Sequence, residues 1–424
     1  MTTTAKSPAD EPAVVDAAAH APLRQMPRIL LGLLRKRISE GELGVVPVVL
    51  GLVVIAIVFQ TLNSNFLTAL NLTNLMAQVA AFGTIAVGVT FVLLLGEIDL
   101  SVGSVSGFCA GVLVVLNVKY GWPALPSLLA ALATGVAIGV FDGVWVSKLH
   151  VPSFVVTLAG NIAFLGALLF ILGSSGTISI NDPFLNDIAN RLLPVALGWI
   201  IAAVLVGAYA MVSLRTFWRR SRSGLVVGPF AAVVARIVIL GGGVAAATAI
   251  MSVDRSRSVI SIAGVPMGVL VFLALLLGFD LLVQRTRFGR DVYAVGGNIE
   301  AARRAGISVD RVRIAVFALC SGLAAAGGIM AASRLFAVNQ SSGGSDVLLN
   351  SIAAAVIGGT SLFGGRGRPR NALVGALVIG AIANGMDLQA LSSSVKFIIT
   401  GIVLLLAVTI DATARRGREA AGRA

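Results

Sequence analysis

Apolar residues in this chain come in long unbroken runs, not in the alternating or striped patterns of a water-soluble fold. About twelve runs approach the twenty or so residues that a helix needs to cross a bilayer. They lie at 44–59, 72–95, 100–118, 125–146, 154–172, 194–214, 230–251, 265–283, 314–332, 348–363, 372–386 and 395–410. The pattern predicts an all-α polytopic membrane protein with about 10–12 transmembrane helices, since a helix satisfies its own backbone polar groups in lipid. Composition agrees: 57% of the residues are hydrophobic, 12% are charged and mean hydropathy is +0.96.

The polar segments between runs orient the chain. Arg35, Lys36 and Arg37, then Lys148, the run RTFWRRSR at 215–222, the loop 285–313, the segment 366–370 and the C-terminal tail fall on one side and hold most of the 32 lysines and arginines. The other side carries Lys119, Arg191, Arg255, Arg257 and Arg334, while Arg236 and Lys396 fall within runs. The positive-inside rule then places both termini in the cytoplasm. A net charge of +13 would suggest a nucleic-acid partner in a soluble domain. Here the basic clusters act as topology determinants, so the expected surroundings are lipid and not nucleic acid. Residues 1–40 read as a polar cytoplasmic tail expected to be disordered, 41–411 as a single transmembrane domain and 412–424 as a basic cytoplasmic tail. Cys109 and Cys320 lie inside apolar runs, and His20 and His150 are isolated, so no metal site, disulfide or enzyme constellation is expected.

Two interruptions carry chemistry. The segment GEIDLSVGS at 96–104 puts Glu97 and Asp99 within an apolar stretch. A charge at the centre of a membrane helix costs roughly 2.5 kcal/mol or more. This segment is therefore either a broken helix lining a polar passage or a tight cytoplasmic turn, with Asp99 capping the next helix and Glu97 facing water. The second interruption is the loop 285–313, where a short helix is expected near 298–305. Gly296 and Gly297 loosen the chain before it, Asn298 caps it, Glu300 matches its dipole, Arg303 and Arg304 occupy its last turn, and Gly306 stops it. So short a helix needs support from the membrane domain or a docked partner. It is a candidate handle for a cytoplasmic partner, set against an ordinary solvated helix whose arginines only orient the protein. A fainter echo of the first interruption occurs at 358–366: aligning Gly358 with Gly96 brings Leu362 onto Leu100 and Gly365 onto Gly103.

The stretches FVLLLGEIDLSVGS (91–104), RTRFGRDVYAVGGNIEAARRAGISVDRVR (285–313) and LNSIAAAVIGGTSLFGGRGRP (349–369) resemble, in order, the permease subunits of bacterial ATP-driven monosaccharide importers of the ribose, xylose and autoinducer-2 type. The long middle region most resembles the xylose branch. Glu97 stands where that family usually carries a second glycine. The resemblance implies a permease subunit in the bacterial inner membrane that is not itself an enzyme. It also implies an extracytoplasmic sugar-binding protein, cytoplasmic ATPase subunits that bind ATP and magnesium, and a second permease copy. No cofactor is expected on this chain, which has no phosphate-binding loop motif. By the resemblance, Gly296, Gly297, Asn298, Glu300, Ala301, Arg304 and Gly306 belong to a coupling helix that meets the ATPase. A neutral sugar needs hydrogen-bonding groups along its route, and the candidates are Gln78, Thr84, Thr90, Glu97, Asp99, Ser101, Ser104, Thr157, Asn161, Asn384 and Gln389. For an isolated Thr, Asn or Gln the competing reading is a bond between helices. The alternative function is an ion-coupled secondary sugar transporter that uses Glu97 or Asp99, which leaves the capped loop helix without a role.

Overall fold

The computed structural model describes residues 46–225, 229–256 and 261–420. The N-terminal tail expected at 1–40 and the last residues of the basic tail lie outside them. Fifteen α-helices form among the described residues: α1 (Val46–Leu62), α2 (Ala69–Leu94), α3 (Val102–Val114), α4 (Ala124–Lys148), α5 (Ser153–Leu172), α6 (Pro183–Asn190), α7 (Val195–Arg222), α8 (Phe230–Ser252), α9 (Met267–Arg285), α10 (Arg287–Gly297), α11 (Ile299–Arg304), α12 (Val309–Leu335), α13 (Ser345–Ile357), α14 (Ala372–Leu388) and α15 (Ser393–Ala420). Short strands β1 (Thr177–Ser179) and β2 (Ala337–Asn339) pair antiparallel. Among the described residues, nine helical segments are long and apolar enough to cross a membrane, and three shorter apolar helices stand at Leu50–Leu62, Ser345–Ile357 and Ser393–Leu406. This is an all-α polytopic membrane fold, with an element on every apolar run. The sequence reading passed over α6, whose apolar face is amphipathic and too short to register as a span. Helix α15 runs on to Ala420, past the domain end expected at 411.

Two compact units result, one of residues 193–265 and one holding the rest of the described chain. In the first, α7 and α8 pack as a hairpin whose Gly198 fits against Val265 and Thr248. In the second, α2 is central, with almost all its membrane-crossing residues buried. Small residues bring the helix backbones close, as expected where lipid provides no hydrophobic drive between helices. Gly88 of α2 faces the Cys320 carbonyl and Gly327 of α12 faces the Ala81 carbonyl, so the two helices run antiparallel. Gly135, Gly139 and Gly143 of α4 lie against Ser321, Phe317 and Ile314 of α12, again antiparallel. This is the close-packing role their spacing at every fourth position predicts. On its other side α2 meets α14 antiparallel, with Gly83 near Ala376 and Gly380 near Val79.

These contacts define an internal symmetry. Helix α3 runs along α12 in the same direction, Asp99 lying beside Cys320 and Ser106 beside Gly328. Helix α13 runs alongside α2, the Ser351 hydroxyl reaching the Phe82 carbonyl. It also packs antiparallel to α14, with Gly375 on the Ala354 carbonyl and Gly358 on the Asn371 carbonyl. The sets α2, α3, α4 and α12, α13, α14 thus repeat one another with inverted direction, as in repeat-built transporters. The counterpart of the 96–104 break is the segment between α12 and α13, not the glycines at 358–366 that echo it in sequence. Three matched residues in a glycine-rich chain had no power to choose between those alignments.

Candidate functional site

The break at 96–104 begins at one end of the bundle and climbs inward. Glu97 meets Arg313, in the second turn of α12, at 2.8 Å, with both side chains less than one-fifth exposed. Asp99 reaches the Cys320 thiol seven residues further along α12, about 10 Å at 1.5 Å per residue. The surface-turn reading is corrected: Glu97 is largely withdrawn from water and the N-cap of α3 is Ser101, with no side-chain cap. Asp99 closes a local turn ahead of α3: its Oδ1 accepts the Ser101 N–H at 2.9 Å and the Ser101 hydroxyl at 2.6 Å. Helix α3 starts inside the protein, with Asp99, Ser101 and Ser104 all buried. Ser104 donates to the Ser101 carbonyl at 2.9 Å. Helix α5 closes the segment from outside, as the Ser153 hydroxyl accepts the Ile98 N–H at 3.3 Å and the Thr157 hydroxyl donates to the Ile98 carbonyl at 3.4 Å. Asn161 follows one turn later on α5, half-buried. The sequence reading missed Asp142 of α4, a second carboxylate that is only 1% exposed. It sits in an apolar context, GVFDGVW, inside a run long enough to span the membrane.

At this same end the three motifs interlock through bare backbone. The Gly365 N–H donates to the Leu94 carbonyl at 2.8 Å. A Cβ on Gly296 would fall on that same Leu94 carbonyl, and one on Gly364 would stand 2.7 Å from the Gly296 carbonyl and 2.9 Å from the Gly96 nitrogen. Gly96 and Gly364 have φ of 76° and 86°, which glycine adopts without steric cost. The expectation that Gly296 and Gly297 loosen the chain is therefore corrected: they close a helix, α10, and Gly296 is a packing point. Thr286 caps α10 by accepting the Gly289 N–H at 3.2 Å, Val292 and Val295 bury its inner face, and Tyr293 donates to the Gly367 carbonyl at 2.7 Å. Burial raises the Tyr293 phenol above its ordinary range, which keeps this donor protonated.

Helix α11 follows with the caps that the sequence predicts. Asn298 accepts the Ala301 N–H at 2.9 Å, and Glu300 pairs with Arg303 at 2.9 Å. The N–H of Gly306, at φ 81°, bonds the Arg303 carbonyl and that of Ile307 bonds the Ala302 carbonyl, a complete glycine stop. Ala302 is buried, whereas Glu300, Ala301 and Arg304 are exposed.

Deeper in the bundle lies a cavity of about 280 Å³ between α2, α3, α12 and α13, largely apolar with a few polar groups. Gln78, Ser106, Arg334, Asn339, Asp346 and Asn350 give it hydrogen-bonding groups, and the bare backbone of Gly107, Gly327, Gly328 and Gly343 lets the walls approach. It lies below the roughly 300–1,000 Å³ common for drug-sized ligands, a size for one small polar molecule. Of the pathway candidates, Gln78 lines this cavity. The structure gathers Glu97, Asp99, Ser101, Ser104 and Thr157 at the break instead. Thr90 and Thr84 return their hydroxyls to the Ala86 and Ala80 carbonyls. Asn384 exchanges amide bonds with Asn71 at 2.7 and 3.0 Å, a clasp between α14 and α2. Asp346 and Asn350, four apart on α13, had a readable helical spacing, but the glycine-rich run ahead of them hid where that helix begins.

Compared with known proteins, residues 71–227 and 170–408 match the family model described as branched-chain amino acid transport system / permease component. The chain is 39% identical to the xylose transport system permease protein of Escherichia coli K12 over 361 residues, covering 84% of this chain and 88% of that protein. Against the xylose transport system permease protein of Haemophilus influenzae, identity is 34% over 84% of this chain and 92% of the relative. Against the ribose import permease protein of Escherichia coli K12 it is 33%, over 85% and 91%. No solved structure matches the chain.

Proposed function

Because the chain belongs to the branched-chain amino acid transport system / permease component family, we propose that it is the permease subunit of an ATP-driven importer that carries xylose or a related pentose. An extracytoplasmic binding protein delivers the sugar, ATP and magnesium bind on separate cytoplasmic ATPase subunits, and a second copy of this chain completes the passage. The relatives named as xylose and ribose permeases support the substrate class. The sugar passes through the cavity beside Gln78, Asp346 and Asn350, whose amides and carboxylate satisfy its hydroxyls.

The observation that carries this reading is the backbone interlock of Leu94, Gly296 and Gly365. It ties α10 and α11 to the ends of α2 and of the α13–α14 loop, so a push on the exposed face of α11 reaches both inverted repeats as a rigid displacement. In this reading Glu300, Ala301 and Arg304 face the ATPase. The ion-coupled alternative is less supported, because Glu97 is held by Arg313 and Asp99 by Ser101.

The test is reconstitution of the chain in nanodiscs with the ATPase and binding protein of its own system, reading ATP hydrolysis against a panel of sugars. Stimulation by loaded binding protein with xylose, and not with ribose or galactose, is expected. Ala301→Glu should abolish that stimulation while the complex still purifies as a folded particle. Sugar accumulation by vesicles holding this chain alone under a proton gradient would overturn the proposal.

A further inference from the structure

The unit formed by α7 and α8 carries a site that the transport reading does not use. Tyr209, Ser213, Thr216 and Arg220 recur along one face of α7, and Arg236 of α8 faces them across a cleft of about 400 Å³. The basic end of this hairpin holds Arg215, Arg219, Arg220, Arg222 and Arg236. Between residues 193 and 265 the chain has one carboxylate, Asp254. It lies beyond the opposite end of α8, some 25 Å of helix from Arg236 at 1.5 Å per residue. There it accepts the N–H groups of Ser256 and Ile262 at 2.9 and 3.0 Å. Among the described residues of this unit, no acidic side chain lies at the basic end.

The surroundings of the cleft specify the kind of anion it suits. Arg236 lies six residues into α8, about 9 Å along the helix axis, where a charge within an apolar helix is costly unless it is paired. The Phe217 ring lies tilted against Phe230 at 5.4 Å and edge-on to Trp218 at 6.2 Å between ring centroids. Such an aromatic group marks the level where headgroups meet acyl chains. The Thr216 hydroxyl already donates to the Val212 carbonyl at 2.7 Å and keeps lone pairs free to accept from a ligand hydroxyl.

We propose that this cleft binds the headgroup of an anionic glycerophospholipid, with Arg220 and Arg236 clamping the phosphate and Tyr209, Ser213 and Thr216 reading the glycerol oxygens. Two guanidinium forks suit a phosphate better than ammonium groups would, because each presents paired donors at fixed geometry. Apolar Val212 and Val233 on the same walls take the upper acyl chains. By the positive-inside rule the lipid belongs to the cytoplasmic leaflet, the anionic one in which basic pockets between helices hold headgroups.

The test is native mass spectrometry of the full chain, delipidated with its partner subunits and titrated separately with phosphatidylglycerol, phosphatidylcholine and inorganic phosphate. One phosphatidylglycerol should be retained at concentrations where phosphatidylcholine and phosphate are not. Arg236→Gln and Arg220→Gln should each weaken that first site about tenfold, the worth of one charge-assisted contact. Arg219→Gln removes the same charge outside the cleft and should leave retention within twofold. If Arg236→Gln does not insert, Arg220→Gln, at the water-facing end, decides alone. Equal retention of both lipids, an equal effect of Arg219→Gln, or phosphate binding as well as the lipid would overturn the proposal.

Discussion

Glu97 is a carboxylate where the resembled family usually has glycine, and the structure supplies its reason: Arg313 stands 2.8 Å away and both groups are largely withdrawn from water. Removing one partner leaves the other poorly solvated, and the Nε of Arg313 already lacks a bond. Glu97→Ala should therefore lower stability by about 2 kcal/mol, less than for a fully buried pair because water still reaches both. Arg313→Ala in the Glu97→Ala background should cost far less than alone, a coupling that thermal unfolding of the four proteins in one detergent measures. Additive losses would mean the pair contributes nothing. The clasp of Asn71 and Asn384 gives a second prediction at this scale. Asn384→Ala leaves the buried Asn71 Oδ1 without its donor and should cost about 1–3 kcal/mol, while the apparent KM for sugar uptake stays within twofold of the parent. A several-fold rise in KM with unchanged stability would return Asn384 to the sugar route.

Among the elements, α10 and α11 show what was readable. The caps of α11 are local: Asn298, Glu300 and Gly306 satisfy or charge-match backbone groups within one turn, so their types at that spacing were sufficient. Helix α10 was not seen, because GG reads as a breaker and only a long-range neighbour explains it. That neighbour is the Leu94 carbonyl, so close that Gly296 has no room for a side chain. Gly296→Val should cost about 1–3 kcal/mol by overpacking and should uncouple ATP hydrolysis from uptake by tenfold or more, with helix content unchanged by circular dichroism. Retained coupling would show that the interlock transmits nothing. The polar break was half legible. Two carboxylates in an apolar run announced a special segment, but whether it lay at the surface or inside depended on α12, whose Arg313 and Cys320 receive Glu97 and Asp99 at different depths.

For the whole molecule, inverted repeats predict that the cavity and the interlocked glycine loop are reached from opposite sides of the membrane. Cys109 and Cys320 are free and buried, so engineered thiols report against a quiet background. In intact cells a membrane-impermeant maleimide should label Ser341→Cys from outside, whereas Arg366→Cys should react only after permeabilisation. Labelling of Arg366→Cys in intact cells would reverse the orientation inferred from the arginines. The helical class and the positions of the apolar runs followed from composition and run length alone, because a bilayer imposes the same demand on every crossing segment whatever its neighbours. Orientation was read from loop charge in the same way. Which glycines meet, how the repeats pair, and which polar groups share the cavity are decided by contacts between helices hundreds of residues apart. Those contacts leave no periodic mark along the chain, since a close approach needs only one small residue on each side.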